Sequence, residues 1–306
     1  MCRAGRARAA AGKGTPPRRR QKYSYATATF APGMKIGVNT FLTDEGISPT
    51  KLGSALEERG LESLFLAEHS HIPAARQSVY PGGGELPRVY YRTMDPFVAL
   101  GAVAAVTERL ILGTGVALLI QRDLIHTAKE VATLDRISDG RVVFGVGVGW
   151  NREEMADHGT DPRTRGALLD EQLEAIITIW TRELAEYHGE FIDFDPMYAW
   201  PKPRQQPHPP IYIGGAEAAA RRAVRHGVGW IPNGVSEAAA VQAQLAEFAD
   251  SGLPVTVTPA PRNPAVLDAY AEAGVERVTL HLQTQPESES LHALDDFAKL
   301  AERYRG

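Results

Sequence analysis

The feature that most restricts the fold is a set of short, nearly unbroken apolar runs separated by helix-patterned segments. Runs at Met34–Phe41, Leu61–Ala67, Leu110–Leu119, Arg141–Gly149, Ile211–Gly215, Gly229–Pro232, Pro254–Thr258 and Arg277–Leu282 read as eight strands. A strand with one wet face alternates apolar and polar residues, whereas these runs stay apolar, as strands buried on both faces do. Helical patterns occupy Pro49–Arg59, Asp95–Thr107, Asp123–Ile137, Arg165–Arg182, Ala216–His226, Glu237–Asp250, Pro264–Ala273 and Leu291–Tyr304. Such alternation predicts a parallel sheet covered by helices. A doubly wound sheet would carry a Gly-rich phosphate turn after its first strand. The first strand here ends at Asn39-Thr40-Phe41 without one. The expected fold is therefore α/β, a (β/α)8 TIM barrel with insertions after strand 2 (70–91) and after strands 4–5 (183–210). The first insertion is rich in Gly and Pro and reads as a functional lid or a mobile segment; the second reads as irregular and aromatic.

Composition narrows the chemistry. A single cysteine, Cys2, excludes a disulfide or a thiolate metal cluster within the chain. No apolar run is long enough to cross a membrane as a helix. Residues 1–33 hold eight Lys and Arg and no acid, so the net charge of −4 conceals about −12 on 34–306. That charge gives no reason to expect nucleic acid as a partner. The expectation is a disordered basic extension over 1–33, or a start placed too early with Met34 as the natural one, followed by a barrel domain over 34–306. Without a secretory h-region, a cytoplasmic protein is expected.

In a barrel, function collects where strands end and loops begin. Glu68-His69-Ser70-His71 closes the second strand; His69 can donate a hydrogen bond or position a ring, and Glu68 can orient it. The His69-x-His71 pair lacks the late Asp and further ligands of a zinc barrel, so no metal is expected. Gly113-Thr114-Gly115-Val116 weakens the third strand unless something needs the space, either a flat ring or tightly packed barrel layers. Gly145, Gly147 and Gly149 leave one face of the fourth strand bare, for large neighbours or a ligand to fill, with Trp150 and Asn151 beyond them at the mouth. Gly214-Gly215 opens the helix after the fifth strand, where bare N–H groups bind phosphate or merely form a tight turn. Arg163 and Arg165 can reach phosphate or lie solvated at the surface.

The ordered segments LFLAEH (64–69), LGTGV (112–116), TAKEVATLD (127–135) with SDGR (138–141), GVGVGW (145–150) and PIYIGG (210–215) together resemble the bacterial-luciferase-like monooxygenase family, in particular its coenzyme F420-dependent branch. The resemblance implies a flavin-like ring across the open end of the barrel, with His69 close to it. It also implies a non-prolyl cis peptide at Gly115-Val116 under the ring, and the cofactor phosphate near Gly214-Gly215. Relatives often carry Asp where Glu68 stands. Sugar-phosphate dehydrogenases of the family place a proton-donating Glu where Trp150 stands, which argues against that activity; Glu153 or Glu154 approaches from a different direction.

The expected activity is F420-dependent hydride transfer to or from a small organic substrate. The site is expected to comprise His69 and Glu68 as catalytic residues. Thr114, Gly115, Val116, Gly147, Gly149, Trp150, Asn151, Arg165, Gly214 and Gly215 are expected to hold the cofactor. The alternatives are an FMN-dependent monooxygenase fed by a separate reductase, and a non-redox barrel binding a phosphorylated ligand. The family analogy further implies a homodimer.

Overall fold

The computed structural model describes residues 33–305; the basic segment expected to be an extension lies, but for Gly33, outside the described residues. Eight strands form one parallel sheet: β1 (Lys35–Thr40), β2 (Ser63–Leu66), β3 (Ile111–Thr114), β4 (Val142–Val146), β7 (Ile211–Gly214), β8 (Gly229–Ile231), β9 (Thr256–Ala260) and β10 (Arg277–His281). Neighbours pair in the order β8-β7-β4-β3-β2-β1-β10-β9. A parallel bridge between Trp230 and Val255 nearly closes the ring between β8 and β9. This is the expected (β/α)8 architecture.

The helices begin where the sequence provides caps and a fixed φ. Ser48-Pro49 opens α1 (Pro49–Glu58), and Asp95-Pro96 opens α2 (Pro96–Ala104), where the Asp95 carboxylate accepts from the N–H groups of Phe97 and Val98. Asp123 caps α3 (Leu124–Ile137). The remaining barrel helices are α5 (Arg165–Thr181), α6 (Glu217–His226), α7 (Val241–Ala249), α8 (Pro264–Glu272) and α9 (Glu287–Glu302). Leu64, Leu66, Leu112 and Phe144 are buried in the continuous layer between sheet and helices. Phe65, Val143, Tyr212 and Ile231 form a separate cluster in which residues of β2, β4, β7 and β8 meet inside the barrel.

Three local expectations change. Residues 183–210, expected to be irregular, contain an antiparallel hairpin of β5 (Leu184–His188) and β6 (Asp193–Tyr198). The third strand stops at Thr114 rather than running to Leu119, and pairing resumes only at the Ala117–Val146 bridge. A short helix, α4 (Arg152–Asp157), follows the fourth strand and has no apolar period long enough to be read from sequence.

Candidate active site

The segment leaving β2 carries Glu68 and His69 onto the C-terminal end of the barrel, both 8% exposed. His69 Nδ1 lies 2.7 Å from Glu154 Oε2, and Glu154 is fully buried. Ser70 N–H donates to Glu154 Oε1 at 3.1 Å. Glu154 owes its position to α4, where the Asn151 Oδ1 cap accepts its N–H at 3.3 Å. The carboxylate that orients His69 is thus Glu154, not Glu68. Glu68 accepts instead from Leu118 N–H and from Arg122 Nε, both at 2.6 Å, and so ties down the turn after β3. A carboxylate oxygen accepts, so this contact places a hydrogen on His69 Nδ1. On the solvent side, Ser70 Oγ lies 2.9 Å from His71 Nδ1 and 2.6 Å from His158 Nε2. Among the described residues no group of His, Cys, Asp and Glu could hold a metal ion.

An aromatic cover lies beside His69. Its ring stands 5.1 Å from Tyr90 and 5.8 Å, edge-on, from Trp150. Tyr80 packs on Tyr90 at 5.3 Å and on Trp150 at 6.0 Å, while Phe41 meets Tyr90 at 4.6 Å. Tyr80 and Tyr90 come from the 70–91 insertion, which therefore reaches over the barrel mouth. Burial and the neighbouring Tyr80 push the Tyr90 hydroxyl well above the usual range, so it stays protonated.

The glycines of β3 and β4 have protein neighbours on their bare sides. The Gly115–Val116 bond is cis, as the resemblance implies. A Cβ at Gly147 would meet Val116 Cγ2 at 2.6 Å, and one at Gly214 would meet Val116 Cγ1 at 2.5 Å. The Val116 side chain therefore stands between β4 and β7. Gly113 makes room for the Phe65 ring, and Gly145 for the Thr114 carbonyl. Thr114 Oγ1 is buried and donates to the Gly145 carbonyl at 2.7 Å. Gly149 adopts φ +65°, a turn that leads into Trp150 and Asn151.

At the end of β7, Gly215 has φ +129°, its N–H donates to Ile231, and its carbonyl accepts from Trp230 Nε1 at 2.8 Å. No side chain caps α6 behind it. Arg165, at the start of α5, is half-buried and pairs with no carboxylate among the described residues, whereas Arg163 is exposed and paired with Asp161. The structure thus brings His69, Trp150 and Asn151 into one group around Glu154. It brings Gly115, Val116, Gly147 and Gly214 into another around the Val116 side chain. Tyr80 and Tyr90 were not legible as site residues, because the insertion that carries them has no periodicity. A separate cavity of about 650 Å³, lined by Met34, Leu245, Phe248 and Val255, opens at the opposite end of the barrel.

The family model for luciferase-like monooxygenases matches residues 49–305. A Mycobacterium tuberculosis protein of uncharacterized activity is 46% identical over 203 residues, covering 65% of this chain and 72% of its own. An F420-dependent glucose-6-phosphate dehydrogenase of Nakamurella multipartita is 32% identical over 213 residues, covering 68% of this chain and 54% of its own. The crystal structure of the monooxygenase RslO1 from Streptomyces bottropensis superposes with a TM-score of 0.73 at 21% identity, covering 89% of this chain and all of that one. Among the described residues no helix is long and apolar enough to cross a membrane.

Proposed function

The chain belongs to the luciferase-like monooxygenase family of oxidoreductases, and from that premise we propose that it transfers hydride between coenzyme F420 and a small organic substrate. The observation that carries this reading is the buried His69–Glu154 pair at 2.7 Å beneath the Tyr90 and Trp150 rings. A paired imidazole at a mouth roofed by aromatic rings suits a reaction in which a proton moves as a hydride does. The F420-dependent relative at 32% identity supports the choice of cofactor.

The residues present fit a phosphorylated planar ring. Val116 offers an apolar surface, Gly147 and Gly214 leave it space, and Asn151 Nδ2 is buried without a hydrogen-bond partner. The uncapped start of α6 beside Gly214 and Gly215 would hold the phosphate. Arg165 would face an acidic tail. When bound, such a cofactor supplies the carbon that takes or gives hydride. His69 Nε2 takes or returns the substrate proton, Glu154 fixes the ring and balances its charge, and the aromatic insertion excludes water.

The test is titration of the full chain with F420 and, separately, FMN, followed by fluorescence. The expected result is saturable F420 binding and a weak FMN response. The reverse result assigns the chain to the FMN-dependent monooxygenases with a separate reductase. Binding of neither leaves a non-redox barrel for a phosphorylated ligand.

A further inference from the structure

One end of the barrel carries arginines that have no acid to pair with. Arg88 and Arg277 bond carboxylates, and Arg141 bonds backbone carbonyls. Arg76, Arg152, Arg165 and Arg262 pair with no carboxylate among the described residues. All four stand in loops or first helical turns at the C-terminal end of the barrel, on a domain whose net charge is about −12. An acidic body with a positive mouth draws small anions to that mouth.

Arg76 is built into the aromatic cover. It is half-buried, its Cζ lies 5.7 Å from the centroid of the Trp150 ring, and its Nη1 donates to the Ser78 carbonyl at 2.7 Å. Those two contacts position the guanidinium and leave its Nε–Nη2 edge without a partner among the described residues. That edge is a two-donor fork with the spacing of a carboxylate. The acids that follow Trp150 are committed elsewhere. Glu153 accepts from the N–H groups of Gln77 and Ser78, Glu154 from His69 and Ser70, and Asp157 meets His71 Nε2 at 2.9 Å. The Trp150 ring itself meets His69 edge-on at 5.8 Å, Tyr80 at 6.0 Å and Tyr90 at 6.3 Å. One indole thus borders an unneutralised cation, two tyrosine rings and the candidate catalytic histidine. An arginine lying on a ring is shielded from water on that side, which strengthens its pairing with an anion.

Resting on the oxidoreductase reading for the word substrate, we propose that Arg76 anchors the substrate, and that the substrate is a carboxylate with a flat apolar body. The carboxylate takes the Nε–Nη2 fork of Arg76, and the body lies against Trp150, Tyr80 and Tyr90, one ring away from His69. Arg76 then selects an acid over the matching alcohol without touching the reacting atoms. A phosphate ion fits less well, because it gains nothing from the aromatic wall and one guanidinium leaves part of its charge unpaired.

Binding by the full chain without cofactor tests this. Sodium benzoate should bind saturably and move the indole Nε1–H NMR resonance of Trp150, which Trp150→Phe identifies by removing it. Benzyl alcohol, the same body without the charge, should bind about tenfold more weakly, and inorganic phosphate more weakly still. Arg76→Met keeps an apolar stem for the Trp150 ring. It should weaken benzoate about tenfold, leave benzyl alcohol and F420 affinity unchanged, and lose the salt sensitivity that about 0.5 M NaCl reveals in the wild type. Benzoate bound equally well by Arg76→Met, or benzyl alcohol or phosphate bound as tightly as benzoate by wild type, overturns this proposal alone while F420 still binds. Loss of F420 affinity in place of benzoate affinity in Arg76→Met gives Arg76 to the cofactor and also overturns it. Failure of wild-type protein to bind either F420 or FMN overturns it together with the reading on which it rests.

Discussion

His69 and Glu154 are 85 positions apart, yet their side chains meet at 2.7 Å with both residues buried. Two Glu154 oxygens serve two donors, His69 Nδ1–H and Ser70 N–H. Glu154→Gln cannot serve both, because the NH2 group of the amide must face one of those donors. The variant should lose about 1–3 kcal/mol of stability and the downfield Nδ1–H resonance of His69. Its F420-coupled rate should fall about 100-fold. Chemical denaturation, proton NMR and steady-state kinetics on the one variant check the three outcomes. A wild-type rate with the resonance lost would remove Glu154 from the mechanism.

Val116 links β4 and β7 through two glycines. A methyl added at Gly147 or Gly214 would lie 2.6 or 2.5 Å from a Val116 methyl. Valine is stiff at χ1, so it cannot swing aside cheaply. Gly147→Ala should therefore cost about 1–3 kcal/mol and weaken cofactor binding. Adding Val116→Ala should restore part of the stability, a coupling that a double-mutant cycle reads directly. Additive effects would show that Val116 is not what keeps Gly147 a glycine.

The barrel was legible because its strands are buried on both faces, so Leu64-Phe65-Leu66 and Val142-Val143-Phe144 read as unbroken apolar runs. The glycine positions were legible as places that need space, but not what fills it. Val116 and Phe65 do so from residues remote in sequence from Gly147, Gly214 and Gly113. His69 was singled out from its place at a strand end. The identity of its carboxylate partner was not, because a one-and-a-half-turn helix sets the direction of Glu154 and leaves no period to read. Glu68 was the nearer choice in sequence, but its carboxylate turns the other way and meets Arg122 and the Leu118 N–H.

At the other end of the barrel, Arg277 is 2% exposed and bonds Glu62 through Nε at 2.7 Å and Nη2 at 2.8 Å. It also reaches Glu276 at 3.3 Å. Burial alone would raise the Glu62 carboxyl, but the Arg277 charge outweighs it and holds the group below the usual range. Arg277→Met would strand that carboxylate against Lys35 alone and should cost about 3–5 kcal/mol in urea unfolding. The double variant Arg277→Met with Glu62→Gln should recover a large share, since it removes the uncompensated charge. Equal instability of the single and double variants would mean that packing of the guanidinium, not charge, sets the cost.

His208 gives a pH dependence whose sign can be worked out. It is 4% exposed, packs 6.0 Å from the Trp180 ring and donates from Nδ1 to the Pro209 carbonyl at 2.8 Å. Burial pushes its pKa below the usual histidine value of 6.5. Between that value and the lower folded one, the unfolded chain binds a proton that the folded chain refuses. Stability from this group is therefore complete above pH 6.5 and falls as the pH drops through that window. His208→Asn keeps a donor near the Pro209 carbonyl and cannot titrate there. It should lower stability at every pH, because it leaves a small cavity beside Trp180, but flatten the slope of ΔG against pH below about 6.5. Urea melts across that range, compared between wild type and variant, check it. An unchanged slope would assign the acid sensitivity to another group.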